Sequence, residues 1–301
     1  MSDNTNPPTP QQANQAVAQN AVPSVSHDAI RNFIPPDNCL DGKTILVTGA
    51  GDGIGRVAAL TYARYGATVL LLGRTSSKLE YVYDEIESFG GKQPAMLPMN
   101  LEGATYAEMQ TLENLIAKEV GQLDGVLHNA GMLGALTPLE MYDVDMFAQV
   151  MKVNFTSTFM LTQALLPLLK DAAHGSIVFT SSSVGTHPRA FWGAYALSKQ
   201  AVEGMSDIFT QETQNTTNLR FNCINPGGTR TNMRAHAFPG ENPMSLKTPE
   251  DIMGGYVFLM SDESIGVRGQ VVELQPKDYS SFAILLLTIF IAINGVYKSV
   301  Y

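Results

Sequence analysis

Tyr195 and Lys199 stand four residues apart in WGAYALSK, a helical stretch, so their side chains share one face. A free tyrosine has a pKa of about 10 and is a poor base at neutral pH. A cation about 5 Å away, at an effective dielectric of about 20, favours the phenolate by about 3 kcal/mol. That is about two pKa units, enough to bring Tyr195 toward working pH. Burial pushes the other way. Alone, such a pair is an ordinary feature of an amphipathic helix. Ser182 changes its weight: it lies thirteen residues upstream, where a strand-like run ends in the triplet Ser181, Ser182, Ser183. Neighbours on a strand face opposite ways, and a serine hydroxyl there can donate to a carbonyl oxygen that gains charge in a transition state.

A second chemical feature follows the first strand-like run. Thr48 to Arg56 read TGAGDGIGR and lead into a helical stretch. A strand, a glycine turn and a helix start let backbone N–H groups approach a pyrophosphate at a positive helix terminus. The glycines fit T-G-x-x-x-G-x-G at Gly49, Gly53 and Gly55. They fit neither G-x-G-x-x-G nor a P-loop, since no Gly-Lys-Ser/Thr closes the turn.

The elements that must position these groups are visible as short apolar runs alternating with amphipathic segments. The runs are TILVT at 44–48, TVLLL at 68–72, PAMLPM at 94–99, DGVLHNAG at 124–131, GSIVFTSS at 175–182, LRFNCIN at 219–225 and GQVVEL at 269–274. Strands apolar on both faces and separated by helices predict a parallel sheet covered on two sides. Right-handed crossovers make this an α/β, doubly wound (Rossmann) sheet of about seven strands in a single domain, over residues 39–277.

The flanks differ from this domain. Residues 1–38, rich in Asn, Gln, Ala and Pro, predict a disordered leader. The leader lacks the pattern of a signal peptide. Residues 278–301 form an apolar tail whose dense core, FAILLLTIFIAI at 282–293, is shorter than the about 20 residues of a spanning helix. Membrane contact through this tail is a weaker alternative to a core or interface helix. With 19 Lys+Arg against 28 Asp+Glu the net charge is −9, which argues against a nucleic-acid partner. The two cysteines, Cys39 and Cys223, form no disulfide framework and fit a reducing, cytoplasmic setting. The five scattered histidines form no metal-ligand spacing.

Read in order, the motifs resemble those of the short-chain dehydrogenase/reductase family. HNAG at 128–131 is similar to its N-N-A-G motif, with His128 replacing the first Asn. Asn154 lies in MKVNFTSTF, Tyr195 and Lys199 form Y-x-x-x-K, and NPGGTRT at 225–231 matches P-G-x-x-x-T. The resemblance covers about residues 41–275. Longer strings such as LDGVLHNAG, FMLTQALLPLL and NCINPGGTRT resemble one bacterial oxidoreductase subgroup with no settled substrate.

The resemblance implies hydride transfer between a nicotinamide cofactor and a carbonyl or secondary alcohol. It gives Tyr195 proton exchange with the substrate oxygen, Ser182 the holding of that oxygen, Lys199 the nicotinamide ribose as well, and Asn154 a water relaying protons to Lys199. It assigns cofactor contacts to Thr48, Gly49, Gly53, Ile54, Gly55, Arg74, Asn100, Leu101, Asn129, Ala130, Gly131, Tyr195, Lys199, Pro226, Gly227, Thr229 and Thr231. Arg74 stands where NAD-dependent relatives tend to carry an acid, which predicts NADP over NAD through a fork on the 2′-phosphate. Asp52 in the glycine loop opposes that preference. Asn100 replaces the family's Asp near the adenine, and a Gly needed for sugar epimerisation is Asp52 here. The resemblance also implies a homotetramer or homodimer. His128 and His187 read as a structural brace and a loop residue. Phe191, Trp192, Met233 and Phe238 lie on segments expected to border the substrate. Two other readings are a 3-oxoacyl-thioester reductase and a non-catalytic nucleotide sensor.

Overall fold

A computed structural model describes residues 25–276. The apolar tail and the first 24 residues of the leader lie outside the described residues. Residues 25–38, expected as disordered leader, instead hold a short helix, α1 (His27–Arg31). Ser26 caps it by accepting from Ala29 N–H at 3.2 Å. Ile30 is fully buried, and Phe33 packs edge-on against Phe258 with ring centroids 5.1 Å apart. Two apolar anchors therefore bind to the domain a segment whose composition alone offers no core pattern.

The chain then alternates. β1 (Thr44–Thr48), α2 (Gly53–Arg64), β2 (Thr68–Gly73), α3 (Ser76–Ser88) and β3 (Ala95–Pro98) build one half of the sheet. The helix α4 (Tyr106–Glu119) leads to β4 (Gly125–His128). Next come α5 (Val144–Met151), a π-helical turn at Lys152–Thr156 and α6 (Ser157–Asp171). β5 (Ser176–Thr180), the short α7 (Ser183–Thr186) and the long α8 (Gly193–Thr213) follow. β6 (Arg220–Asn225), α9 (Asn232–Ala237), α10 (Met253–Met260) and β7 (Val271–Glu273) complete the domain.

All seven strands are parallel, in the order β3-β2-β1-β4-β5-β6-β7. β1, β4, β5 and β6 are buried along their whole length, because helices cover both faces. The edge strand β3 departs from the expected two-sided burial: its side chains alternate between half-buried and exposed. One apolar core joins α2, α3 and α10 to one face, with Tyr62, Val82 and Tyr256; the other joins α4, α6 and α8 to the opposite face, with Leu112, Leu165 and Phe209. The strand order reverses between β1 and β4. At such a switch point the loops leaving the carboxyl ends part and open a crevice. Among the described residues, no helix is long and apolar enough to cross a membrane, and no cluster of three His, Cys, Asp or Glu could hold a metal.

Candidate active site

The crevice is a cleft of about 1430 Å³ along the carboxyl ends of the strands. That exceeds the roughly 300–1,000 Å³ of common ligand sites, leaving room for an extended dinucleotide beside a second molecule.

At one end β1 feeds the glycine loop. Gly49 (φ 68°) and Gly53 (φ 52°) take left-handed conformations that a Cβ would strain. A methyl on Gly49 would come within 3.0 Å of the Ala130 Cα, so the loops after β1 and β4 touch there. Gly55 serves packing: a methyl would overlap the Gly49 carbonyl oxygen, and the residue does not reach the cleft wall. Thr48, expected at the cofactor, is also turned inward. Its hydroxyl oxygen accepts from Asn129 N–H (2.9 Å) and Ala130 N–H (3.0 Å), tying β1 to the end of β4. The other expected contacts of this half, Gly49, Gly53, Ile54, Arg74, Asn100, Leu101, Asn129, Ala130 and Gly131, line the cleft. Asn100 Oδ1 accepts from Glu102 N–H at 3.2 Å, closing a local turn.

Asp52 caps α2, accepting from Gly53 N–H at 2.7 Å, and pairs with Lys78 on α3. The hydrogen bond from Lys78 holds the Asp52 carboxyl below its usual range. Both side chains are half exposed, where such a pair contributes only about 0–1 kcal/mol and rearranges readily. The acid expected to repel a phosphate thus carries its own counter-ion. Lys78, which also lines the cleft, is a cation the sequence reading overlooked. Its position depends on how α3 lies over the loop, which the sequence does not state. Among the described residues, Arg74 pairs with no carboxylate.

At the other end, Ser182, Tyr195 and Lys199 line the same cleft. Ser182 leaves β5 as the cap of α7, and its Oγ lies 3.5 Å from Val184 N–H. Tyr195 and Lys199 project from α8, with Lys199 Nζ 5.6 Å from the Tyr195 ring centroid. Lys199 Nζ donates to the Thr180 carbonyl at 2.6 Å. Both residues are buried. Burial pushes the Tyr195 pKa above its ordinary value, with the Ser182 hydroxyl pulling down. Burial also lowers Lys199 to about 8. Burial therefore sets the direction of the Tyr195 shift in the protein alone, opposite to the lowering expected from Lys199.

Asn154 does not reach the cleft. It sits 2% exposed in the π-helical turn, where Ser157 N–H bonds the Lys152 carbonyl five residues back. Its Oδ1 accepts from Met132 N–H (2.7 Å), and its Nδ2 donates to the Met132 carbonyl (2.9 Å) and to Ser198 Oγ (2.9 Å). The amide therefore clamps the loop following Gly131 to α8, rather than presenting itself to a water. π-turns concentrate at functional sites, and here one aims this amide.

The loop after β6 supplies the floor. Pro226, Gly227, Thr229 and Thr231 all line the cleft. Gly227 (φ 71°) lets Gln275 close underneath, with Nε2 bonded to the Pro226 carbonyl at 2.7 Å. Thr231 caps α9. Ser181 also lines the cleft, with its hydroxyl donated to Glu203 of α8, a partner the sequence does not announce. His128 is a brace: burial lowers it to about 3, and it bonds Thr162 Oγ1 at 2.9 Å while stacking on Phe179. Trp192, Met233 and Phe238 line the cleft, and so does His187. Phe191 is exposed and outside its wall.

This sheet, glycine loop and Ser–Tyr–Lys constellation define a nicotinamide-dependent oxidoreductase, and the chain belongs to the short-chain dehydrogenase/reductase family: the model for short chain dehydrogenase matches residues 43–242. It is 53% identical over 245 residues to the uncharacterized oxidoreductase YciK of Escherichia coli K12, covering 81% of this chain and 96% of that protein. It is similar to the structure of a short chain dehydrogenase from Escherichia coli CFT073 complexed with NADPH, with TM-score 0.79 and 54% identity over 80% of this chain and all of that one. A more distant relative, 31% identical over 77% of this chain and 96% of its own length, is the 3-oxoacyl-[acyl-carrier-protein] reductase FabG of Thermotoga maritima.

Proposed function

We propose that the protein interconverts a carbonyl compound and a secondary alcohol using NADP(H). The observation that carries this reading is the meeting of Ser182, Tyr195 and Lys199 on one wall of a cleft whose far end offers Arg74 and Lys78. The nicotinamide cofactor, when bound, supplies or accepts the hydride. The chain's own groups handle the oxygen. Ser182 donates a hydrogen bond to it and stabilises its growing charge. Tyr195, protonated at neutral pH, gives it a proton in the reducing direction. Lys199, braced on the Thr180 carbonyl, holds the ribose and supplies positive charge beside the phenol. Asn154 is a positioning residue, fixing α8 against the loop after β4. Screening NADPH consumption against a carbonyl panel that includes 3-oxoacyl thioesters tests the reading; cofactor binding without turnover of any member would favour a sensor instead.

NADP preference is supported by Arg74 and Lys78 and by the NADP and NADPH complexes of relatives about half identical in sequence. Charge-assisted bonds contribute about 1.5–3 kcal/mol each. Arg74→Ala is therefore expected to weaken NADPH binding at least about tenfold and leave NADH nearly unchanged. Calorimetric titration of both cofactors checks this, and equal affinities in the wild type would refute it.

The catalytic unit is proposed to end where the cleft floor does, at Gln275 and Pro276. A chain shortened to end at Pro276 is expected to fold and bind NADPH as the full chain does. Loss of folding would make the tail part of the core. A cytoplasmic setting, supported by the free Cys39 and Cys223, is checked by fractionating the full chain. A homodimer or homotetramer belongs to the same reading, supported by exposed Phe159 on α6 and Leu197 and Ile208 on α8.

A further inference from the structure

Trp192 is the chain's single tryptophan, and it has three neighbours at the substrate end of the cleft. Its ring centroid lies 6.0 Å from that of Tyr195 and 5.7 Å from that of Phe238. The Arg189 guanidinium lies 5.3 Å from the same ring. Arg189 Nη2 also donates to Ser183 Oγ at 3.1 Å, and Ser183 adjoins Ser182. One donor is thus engaged and one face is stacked, which leaves the remaining N–H groups along the guanidinium edge for a ligand. Among the described residues, no carboxylate pairs with Arg189. Arg234, across Phe238, is different: its fork closes on Glu241 with two bonds of 2.6 Å.

The backbone that carries Arg189 and Trp192 is held under strain. Phe191 has φ 72°, a conformation costly for a bulky residue. Its carbonyl is fixed by Thr137 N–H at 3.1 Å. Strain of this kind persists where surrounding structure enforces it, and it gathers at ligand clamps.

We infer that the substrate carries a carboxylate bound by Arg189, on an apolar body lying along Trp192 and Phe238: an apolar or aromatic oxo acid and its hydroxy acid. This rests on the carbonyl–alcohol reading above. In the reducing direction the C=O π bond breaks, and its carbon forms a C–H bond with the hydride of NADPH, which is oxidised to NADP⁺. The oxygen takes the Tyr195 proton, solvent reprotonates Tyr195, and the carboxylate passes through unchanged.

The test uses the full chain with NADP⁺ present. The probes are 4-phenylbutanoate and its uncharged counterpart 4-phenylbutanamide, with binding read from Trp192 fluorescence. The acid is expected to bind at least about tenfold more tightly than the amide, as a hydrogen-bonded charge warrants. Arg189→Met should make the two probes indistinguishable, while Arg189→Lys should keep part of the preference, since it retains charge without the fork. Equal binding in the wild type, or a preference that survives in Arg189→Met, overturns the inference. A parallel assay compares 4-phenyl-2-oxobutanoate with its ethyl ester as substrates for NADPH oxidation. Ester turnover matching that of the acid overturns the inference and leaves the oxidoreductase reading standing. Acid-selective binding without turnover of either compound supports the inference and leaves the carbonyl–alcohol reading to the carbonyl panel above.

Discussion

Tyr195→Phe is expected to lose at least about a hundredfold in turnover while binding NADPH as the wild type does. The substitution keeps the ring that packs beside Trp192 and removes only the hydroxyl. General acid–base help is typically worth about 10²–10⁴-fold, and the Tyr195 phenol is the group hydrogen-bonded to Ser182. The direction of catalysis adds a second readout. Burial keeps Tyr195 in its acid form at neutral pH, which carbonyl reduction uses directly. Alcohol oxidation needs the phenolate, so its rate should rise with pH while the reduction rate does not. Near-normal turnover in Tyr195→Phe would move the proton to another group, with His187, also in the cleft wall, the first to examine.

Lys199→Met should lose turnover to a similar degree and, unlike Tyr195→Phe, weaken cofactor binding as well. Lys199 sits between the Thr180 carbonyl and the phenol, and in the proposed reaction one ammonium serves both the ribose and the proton-transfer step. Its pKa, lowered from 10.5 to about 8, fixes the sign of two pH effects. Affinity for the anionic cofactor should fall as pH rises through about 8 in the wild type, and that slope should vanish in Lys199→Met. Stability runs the other way. The unfolded chain holds this proton up to a higher pH than the folded one does, so the folded state gains from this group as pH rises from about 8 toward 10.5. Denaturant titrations of wild type and Lys199→Met across that window should diverge accordingly. Parallel denaturation profiles would mean that Lys199 titrates alike in the folded and unfolded chain, and that burial does not lower it.

The central strands were legible because two-sided burial demands unbroken apolar runs, as in Ile45–Val47 and Ile177–Phe179. The edge strand β3 read the same way and is not, since Met96 is exposed at the rim of the sheet. Arg74 could be found by its place after a strand. Lys78 could not, because its approach to the glycine loop depends on the tilt of α3. Thr48 and Asn154 sit at motif positions, yet both turn inward, and a motif states which residue is present without stating which way it points. The direction of the Tyr195 shift depends on burial depth, which spacing along a helix does not encode. α1 escaped notice because five residues anchored by Ile30 show no period.

The Asn154 clamp separates two jobs that one site must perform. It joins the loop after β4 to α8 through Met132 and Ser198, with Asn154 and Ser198 themselves buried. The segments proposed to meet the substrate, around Arg189–Trp192 and Met233–Phe238, lie outside that joint. Exchanging them for loops of other length or chemistry should therefore change what is recognised without loosening the frame on which the reaction runs. In a directed-evolution setting, this places the tolerant positions in the two outer segments and makes Asn154 a hinge pin whose loss no loop redesign would repair.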